Sequence, residues 1–112
     1  MLTKEEMPAC PVATTVQLIG SKWKLLILRN LRMRPWRFNE LRKDLEGISQ
    51  KALTDSLRAM EEDGIVNRTV YPEVPPRVEY SLTPLGESMG LILDAMAQWG
   101  IEYKKSIQAQ NM

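Results

Sequence analysis

Mainly helical with one β-hairpin is the fold class this sequence predicts, and three observations carry it. Apolar residues recur at helical spacing in four short runs between Val12 and Met60. The period then changes to two, over Val66–Tyr71 and again over Val78–Leu82, with a proline-rich segment between. A last helical pattern, from Leu85 to Ile107, outruns all the others. With 112 residues, 44% hydrophobic and 26% charged, the composition is that of a single folded domain.

Residues 1–9 carry Lys4, Glu5, Glu6 and Pro8 without apolar periodicity and are expected to be a flexible arm. Cys10 precedes Pro11, and proline suits a first helical position because its missing N–H would have no partner there. Cys10 is therefore the expected N-cap of a two-turn helix in which Val12, Val16 and Ile19 share a face up to Gly20. Ser21 caps a second helix with Trp23, Leu26, Ile27 and Leu31 on one side, and Pro35 prevents its continuation past Arg34. Phe38, Leu41 and Leu45 anchor a third, which stops near Gly47. Ser49 caps a fourth, whose buried stripe is Leu53, Leu57 and Met60 and whose end is Asp63-Gly64. About three residues separate the third and fourth helices, the short glycine-bearing connection that a helix-turn-helix needs.

After Gly64, Val66, Arg68 and Val70 alternate with Asn67, Thr69 and Tyr71, and Val78, Tyr80 and Leu82 alternate with Glu79 and Ser81, so each strand should have one covered face. The segment Pro72 to Arg77 has few free N–H groups and makes a stiff hairpin tip. Thr83-Pro84 restarts a helix, on which Leu85, Met89, Ile92, Met96, Trp99, Tyr103 and Ile107 advance over more than six turns. The whole order is that of a winged helix-turn-helix domain over residues 10–107, with 108–112 as a tail. So long a helix cannot cover itself on so small a body, and a chain of this length buries only about two thirds of its unfolded surface. A homodimer is expected, joined by the first and last helices through Val12, Val16, Ile19, Met89, Ile92, Met96, Trp99 and Tyr103.

Composition removes several function classes. No histidine and a single cysteine exclude an intramolecular disulfide, Cys/His metal clusters, Ser-His-Asp triads and Cys-His dyads. No metal, cofactor or enzymatic activity is expected. Apolar runs fall far short of the roughly 18–20 residues that span a bilayer, so the expected location is the cytoplasm, with no membrane partner. Fifteen Lys and Arg against fourteen Asp and Glu leave a net charge of +1, and only the distribution is informative. Between Lys22 and Lys43 stand eight basic residues and one acid, Glu40, while Glu61, Glu62 and Asp63 gather at the far end of the fourth helix. Eight against one favours a polyanion over a merely solubilising surface.

The expected partner is double-stranded DNA. A major groove admits a helix, and the outward side of the fourth helix offers Ser49, Gln50, Lys51, Thr54, Asp55 and Arg58. Gln pairs with adenine and Arg with guanine in two-point contacts; Thr donates, accepts or touches a thymine methyl. Such a polar face is also what any solvated helix shows, and only the surrounding architecture tips the reading. Lys22, Lys24, Arg37, Asn39, Arg42 and Lys43 are placed to meet phosphates. Arg77 can reach a narrow minor groove or instead make a cross-strand or phosphate contact. Trp23, Trp36 and Trp99 read as core or interface residues.

These residues resemble a known family. The stretches Cys10-Pro11, Gly20-Ser21-Lys22-Trp23, Arg37-Phe38-Asn39-Glu40-Leu41, Ile48-Ser49-Gln50-Lys51-Ala52-Leu53-Thr54, Leu57-Arg58, Glu61-Glu62-Asp63-Gly64-Ile65-Val66, the hairpin run Pro75-Pro76-Arg77-Val78-Glu79-Tyr80-Ser81-Leu82-Thr83-Pro84-Leu85-Gly86, and Trp99-Gly100 are similar, in order, to the HxlR-type transcriptional regulators, relatives of the MarR group. The resemblance implies a homodimeric bacterial regulator whose Ser49 helix reads a palindromic operator. It also implies that a cysteine near the N-terminus, here Cys10, senses oxidants or electrophiles in some members. A helix N-terminus favours the thiolate such sensing needs, and the plain alternative is a small cap residue without chemistry. Met89, Met96 and Trp99 would give a small-molecule effector a soft apolar lining, or simply pack. A protein-interaction module that never touches DNA is the competing reading, and it predicts no salt-sensitive DNA affinity.

Overall fold

The computed structural model describes residues 2–110, and the apolar stripes of the sequence meet in one core beneath the hairpin. In chain order the elements are α1 (Pro11–Ile19), α2 (Lys22–Leu31), β1 (Trp36–Arg37), α3 (Phe38–Asp44), α4 (Gln50–Glu62), β2 (Val66–Tyr71), β3 (Arg77–Leu82), α5 (Pro84–Ser88) and α6 (Gly90–Gln110). The strands form one antiparallel sheet in the order β1-β3-β2, with Val66 opposite Leu82 and Tyr71 opposite Arg77. Residue 1 of the expected arm and residues 111–112 of the expected tail lie outside the described residues. Within the arm, Glu6 N–H donates to the Thr3 carbonyl at 3.1 Å.

Local chemistry sets most boundaries. Ser21 Oγ accepts from Lys24 N–H at 3.1 Å, Ser49 Oγ from Ala52 N–H at 3.0 Å and Thr83 Oγ1 from Gly86 N–H at 3.0 Å, so three helix starts have satisfied a donor left over by the first turn. Cys10 caps α1 by position, with no hydrogen bond from its side chain. Gly64, at φ +76°, takes the left-handed turn that ends α4 and starts β2. Leu53, Leu57 and Met60 are buried as their spacing predicts, and with Ile27, Leu28, Leu31 and Leu41 they form the centre of the core. Each such side chain contributes roughly 1.5–3 kcal/mol of transfer free energy.

Four expectations change. The turn between α3 and α4 has five residues, 45–49, because Leu45 leaves helical geometry while its side chain, like that of Ile48, stays in the core. Trp36 and Arg37 form a short strand against Tyr80 and Glu79, which no periodicity over two residues could announce. On β2 only Val66 is buried; Arg68 and Val70 are exposed, since β2 is the sheet edge and runs out past the core. Finally, the last helix is two. α5 ends at Ser88 with Met89 as its C-cap, and the N–H groups of Ile92 and Leu93 both turn to the Met89 carbonyl at 3.1 Å as α6 begins. Gly86 lies against the Ile65 carbonyl and Gly90 against the Arg32 guanidinium, so the break falls among weak helix formers held by close packing. Just after this break Asp94 accepts from Arg32 in a two-point ion pair, the shorter contact 2.7 Å, tying α6 to α2.

Candidate nucleic-acid interface

α4 has two clearly different sides. Its apolar stripe is packed on α2, while Gln50, Lys51, Asp55 and Arg58 are exposed and Thr54 is half-buried. Ser49 uses its hydroxyl for the cap, so of the six expected readers it is the one whose side chain is already engaged with the backbone. Lys51 donates to Asp55 at 2.7 Å, a surface pair four residues apart on the helix and worth only about 0.3–0.5 kcal/mol. Both groups are therefore cheap to redirect to a ligand.

The basic stretch divides when it folds. Arg29 donates to Asn30 Oδ1 at 3.1 Å and stands 4.0 Å from Asp44, Arg32 holds Asp94, and Arg34 lies over the Trp36 ring at 3.8 Å with Glu40 at 3.6 Å. These three serve the fold. Asn30, buried, joins Arg29 to Asp44 and Trp36: its side-chain amide donates to Asp44 at 2.7 Å and its backbone carbonyl accepts from Trp36 Nε1 at 2.8 Å. Arg37, Arg42 and Lys43 remain exposed with Asn39 around α3; Asn39, Arg42 and Lys43 border one shallow depression, and Arg37 and Asn39 face another, closed on its far side by Pro76 to Glu79 of the wing. Glu40, the lone acid among them, accepts from Arg37 N–H at 2.8 Å; this bond, with Arg34 nearby, holds its carboxyl below the usual carboxylate range. Lys22 and Lys24 sit elsewhere, at the α1–α2 corner, Lys22 over the Trp23 ring at 4.6 Å and Lys24 donating to the Leu18 carbonyl at 3.4 Å.

Arg77 is held within the wing, by carboxylates of its own strand and of the hairpin tip and by one aromatic ring across the sheet. Its guanidinium binds Glu79 at 2.7 Å and Glu73 at 3.1 Å and lies 3.8 Å from the Tyr71 ring. Burial works against its charge, but the two carboxylates outweigh that and hold it above the usual arginine value. In the free chain it thus stiffens the wing and is not extended toward a minor groove. Arg68 drew no functional expectation from the alternating pattern. It projects from β2 opposite Tyr80, with Glu61 of α4 3.6 Å from its Nε. The one available signal was an arginine in an otherwise apolar alternation.

At the opposite end of the chain, α6 leaves Trp99 69% exposed and stacked on Tyr103, centroids 5.4 Å apart, with Met96 also exposed; on α1, Val12 is 71% exposed and Val16 is exposed too. Ile92 is half-buried. Ile19 and Met89 differ from expectation: at 3% and 8% exposure they belong to the core of this chain and have little surface to offer a second copy. A largely apolar groove of about 340 Å³ runs between α1 and α6, lined by Val12, Val16, Ile92 and Met96 among others. Cys10 is exposed. No helix among the described residues is long and apolar enough to cross a membrane.

Comparison with known proteins agrees with this geometry. The HxlR-like helix-turn-helix family matches residues 18–108. The uncharacterised HTH-type transcriptional regulator YdeP of Bacillus subtilis is 44% identical over 105 residues, covering 94% of this chain and 82% of that protein. YtfH of Escherichia coli, likewise an HTH-type transcriptional regulator, is 48% identical over 90 residues, 80% of this chain and 71% of its own. Among solved structures, the redox regulator HypR in its reduced form superposes with a TM-score of 0.83 at 41% identity, covering 89% of this chain and 99% of that one. The reduced form of the transcriptional regulator YodB from B. subtilis gives 0.73 at 35% identity, over 82% and 91%. With a winged helix-turn-helix fold and relatives of this kind along nearly its whole length, the chain belongs to the HxlR-like helix-turn-helix family of transcriptional regulators.

Proposed function

We propose that this regulator binds a palindromic DNA operator as a homodimer, with α4 of each protomer in a major groove. One observation carries the reading: α4 buries Leu53, Leu57 and Met60 and leaves Gln50, Lys51, Asp55 and Arg58 in solvent, beside the exposed Arg37, Asn39, Arg42 and Lys43. Gln50, Thr54 and Arg58 read base edges with Lys51 and Asp55 beside them, Ser49 fixes the helix start, and the α3 group meets phosphates. Lys22 and Lys24 are proposed as outlying phosphate contacts. The two protomers join through Val12, Val16, Met96, Trp99 and Tyr103, whose exposure in a single chain supports such a union. Fluorescence anisotropy with the DNA upstream of its own gene tests the proposal at two salt concentrations. Arg58→Ala is expected to lose about 5- to 150-fold for the preferred sequence, matching roughly 1–3 kcal/mol, and little for a scrambled duplex. A wild-type protein without salt-sensitive DNA affinity would refute it.

The redox regulators among its structural relatives favour a second element of function, a response to oxidants through Cys10. This residue precedes the family match, is exposed, and caps α1 without spending its side chain on the cap. Two Cys10 thiols, one from each protomer, or Cys10 and a small thiol, would be joined as a disulfide, shifting α1 and with it the spacing of the two α4 helices. Diamide is expected to release DNA from the wild type and not from Cys10→Ser; equal release from both excludes the switch.

A further inference from the structure

We propose that the cleft between α4 and the wing seats one backbone phosphate of the bound duplex, held by Arg68. The inference rests on the DNA-binding reading above and adds a contact that the helix face alone does not supply. An α-helix with its side chains is about 10–12 Å across and a B-DNA major groove about 12 Å wide, so a helix that enters the groove has sugar-phosphate walls along both flanks. One flank of α4 faces the sheet. There the chain forms a cleft of about 270 Å³, with Phe38 of α3 and Leu57 of α4 as its apolar part and Thr54, Arg58 and Glu61 of α4 and Arg68 and Tyr80 of the strands as its polar part. Thr54 and Arg58 are also on the proposed reading face, so DNA that reaches them passes the mouth of this cleft.

The charges suit a phosphodiester. Two guanidinium groups and one carboxylate leave the cleft with one net positive charge, and a backbone phosphate carries one negative. Glu61 approaches Arg68 at Nε, at 3.6 Å, an ion-pair separation outside hydrogen-bond range. The Nη groups of Arg68 make no hydrogen bond among the described residues, so the fork that matches a phosphate in two-point geometry is left open while Glu61 orients it. Arg68 and Tyr80 are direct partners across β2 and β3, which places the phenol beside the guanidinium. Burial pushes the Tyr80 phenol above its ordinary value, so the hydroxyl keeps a proton to donate. Arg77, the other wing arginine, stands toward the hairpin tip opposite Tyr71 and is consumed by Glu73 and Glu79, which leaves Arg68 as the wing cation with capacity to spare.

A phosphate could come from the duplex or from a free phosphate ion, and two measurements separate them. In the first, anisotropy titrations of the full chain use a preferred and a scrambled duplex over a range of salt. Arg68→Ala is expected to weaken both by the same factor, about three- to tenfold at low salt, and to lower the slope of log K against log salt by about one. Arg68→Lys should keep the wild-type slope, and Thr69→Ala, an exposed neighbour on the same strand, should match wild type throughout. Thermal melts of Arg68→Ala within a few degrees of wild type confirm that binding, and not folding, has changed. In the second, the Arg68 Nε–Hε resonance of the wild-type protein is followed by NMR. Scrambled duplex is expected to shift it, and inorganic phosphate at the same phosphate concentration is expected not to. Wild-type affinity and slope in Arg68→Ala, a loss confined to the preferred sequence, or a resonance moved only by inorganic phosphate would each overturn the inference. If wild type bound no duplex at all, the DNA-binding reading itself would fall; if it bound and Arg68→Ala bound equally, only this inference would.

Discussion

Thr83 shows how much one hydroxyl can organise. It donates to the Gly64 carbonyl at 2.6 Å and toward that of Ile65 at 3.1 Å, and accepts from Gly86 N–H, so the end of α4, the start of β2 and the start of α5 share one group. Thr83→Val keeps the shape and removes all of these bonds. It is expected to cost about 1–2 kcal/mol, the usual value of a lost cap, and to lower the melting temperature by roughly 4–8 °C per kcal/mol. A chemical-denaturation midpoint equal to that of wild type would show that water replaces the hydroxyl without loss. As a cap, Thr83 could be read from its place before Pro84, as Ser21 and Ser49 could from theirs, because capping is chemistry between residues three apart. Its bonds to Gly64 and Ile65 could not, because they cross 19 and 18 residues of chain. Asn30 was opaque for the same reason: a buried amide that donates to Asp44, 14 residues on, acquires its role only when the helices pack.

At the level of elements, helices with strong apolar stripes were legible, and their termini to within a few residues. The break between α5 and α6 was not, because the stripe from Leu85 to Ile107 continues in phase while the backbone does not. β1 was invisible because its two residues are strand only by virtue of β3 beside them. The Arg32–Asp94 pair, which ties the first turns of α6 to the end of α2, has a measurable signature. The hydrogen bond from Arg32, reinforced by its charge, holds the Asp94 carboxyl below its ordinary value. A carboxylate depressed in the folded state contributes stability that is present above the unfolded value, near 3.9, and is lost as pH falls through the lower folded one. Asp94→Asn should therefore melt below wild type at pH 7 and converge with it toward pH 2. A gap between the two proteins that stayed constant over that range would show that the pair does not tie α6 to α2 electrostatically.

The molecule as a whole is extended for its size. Its radius of gyration is 16.2 Å, where a compact chain of this length has about 13 Å, and its extents are 57 × 39 × 24 Å. α6 alone is about 31 Å long, and its Met96, Trp99, Tyr103 and Ile107 are all left exposed by the rest of the chain. Trp99→Glu places a charge in that stripe and is expected to shift sedimentation from dimer to monomer at micromolar concentration; a dimer of unchanged stability would move the interface elsewhere. In the proposed homodimer a twofold axis relates two α4 helices, each in its own major groove. Hydroxyl-radical footprinting of the wild-type protein on the DNA upstream of its own gene tests this directly. Two protected segments, symmetric and centred about 34 Å or a whole multiple of a turn apart, are predicted. A single unsymmetrical footprint, or uniform protection with no preferred position, would contradict the paired reading of the major groove.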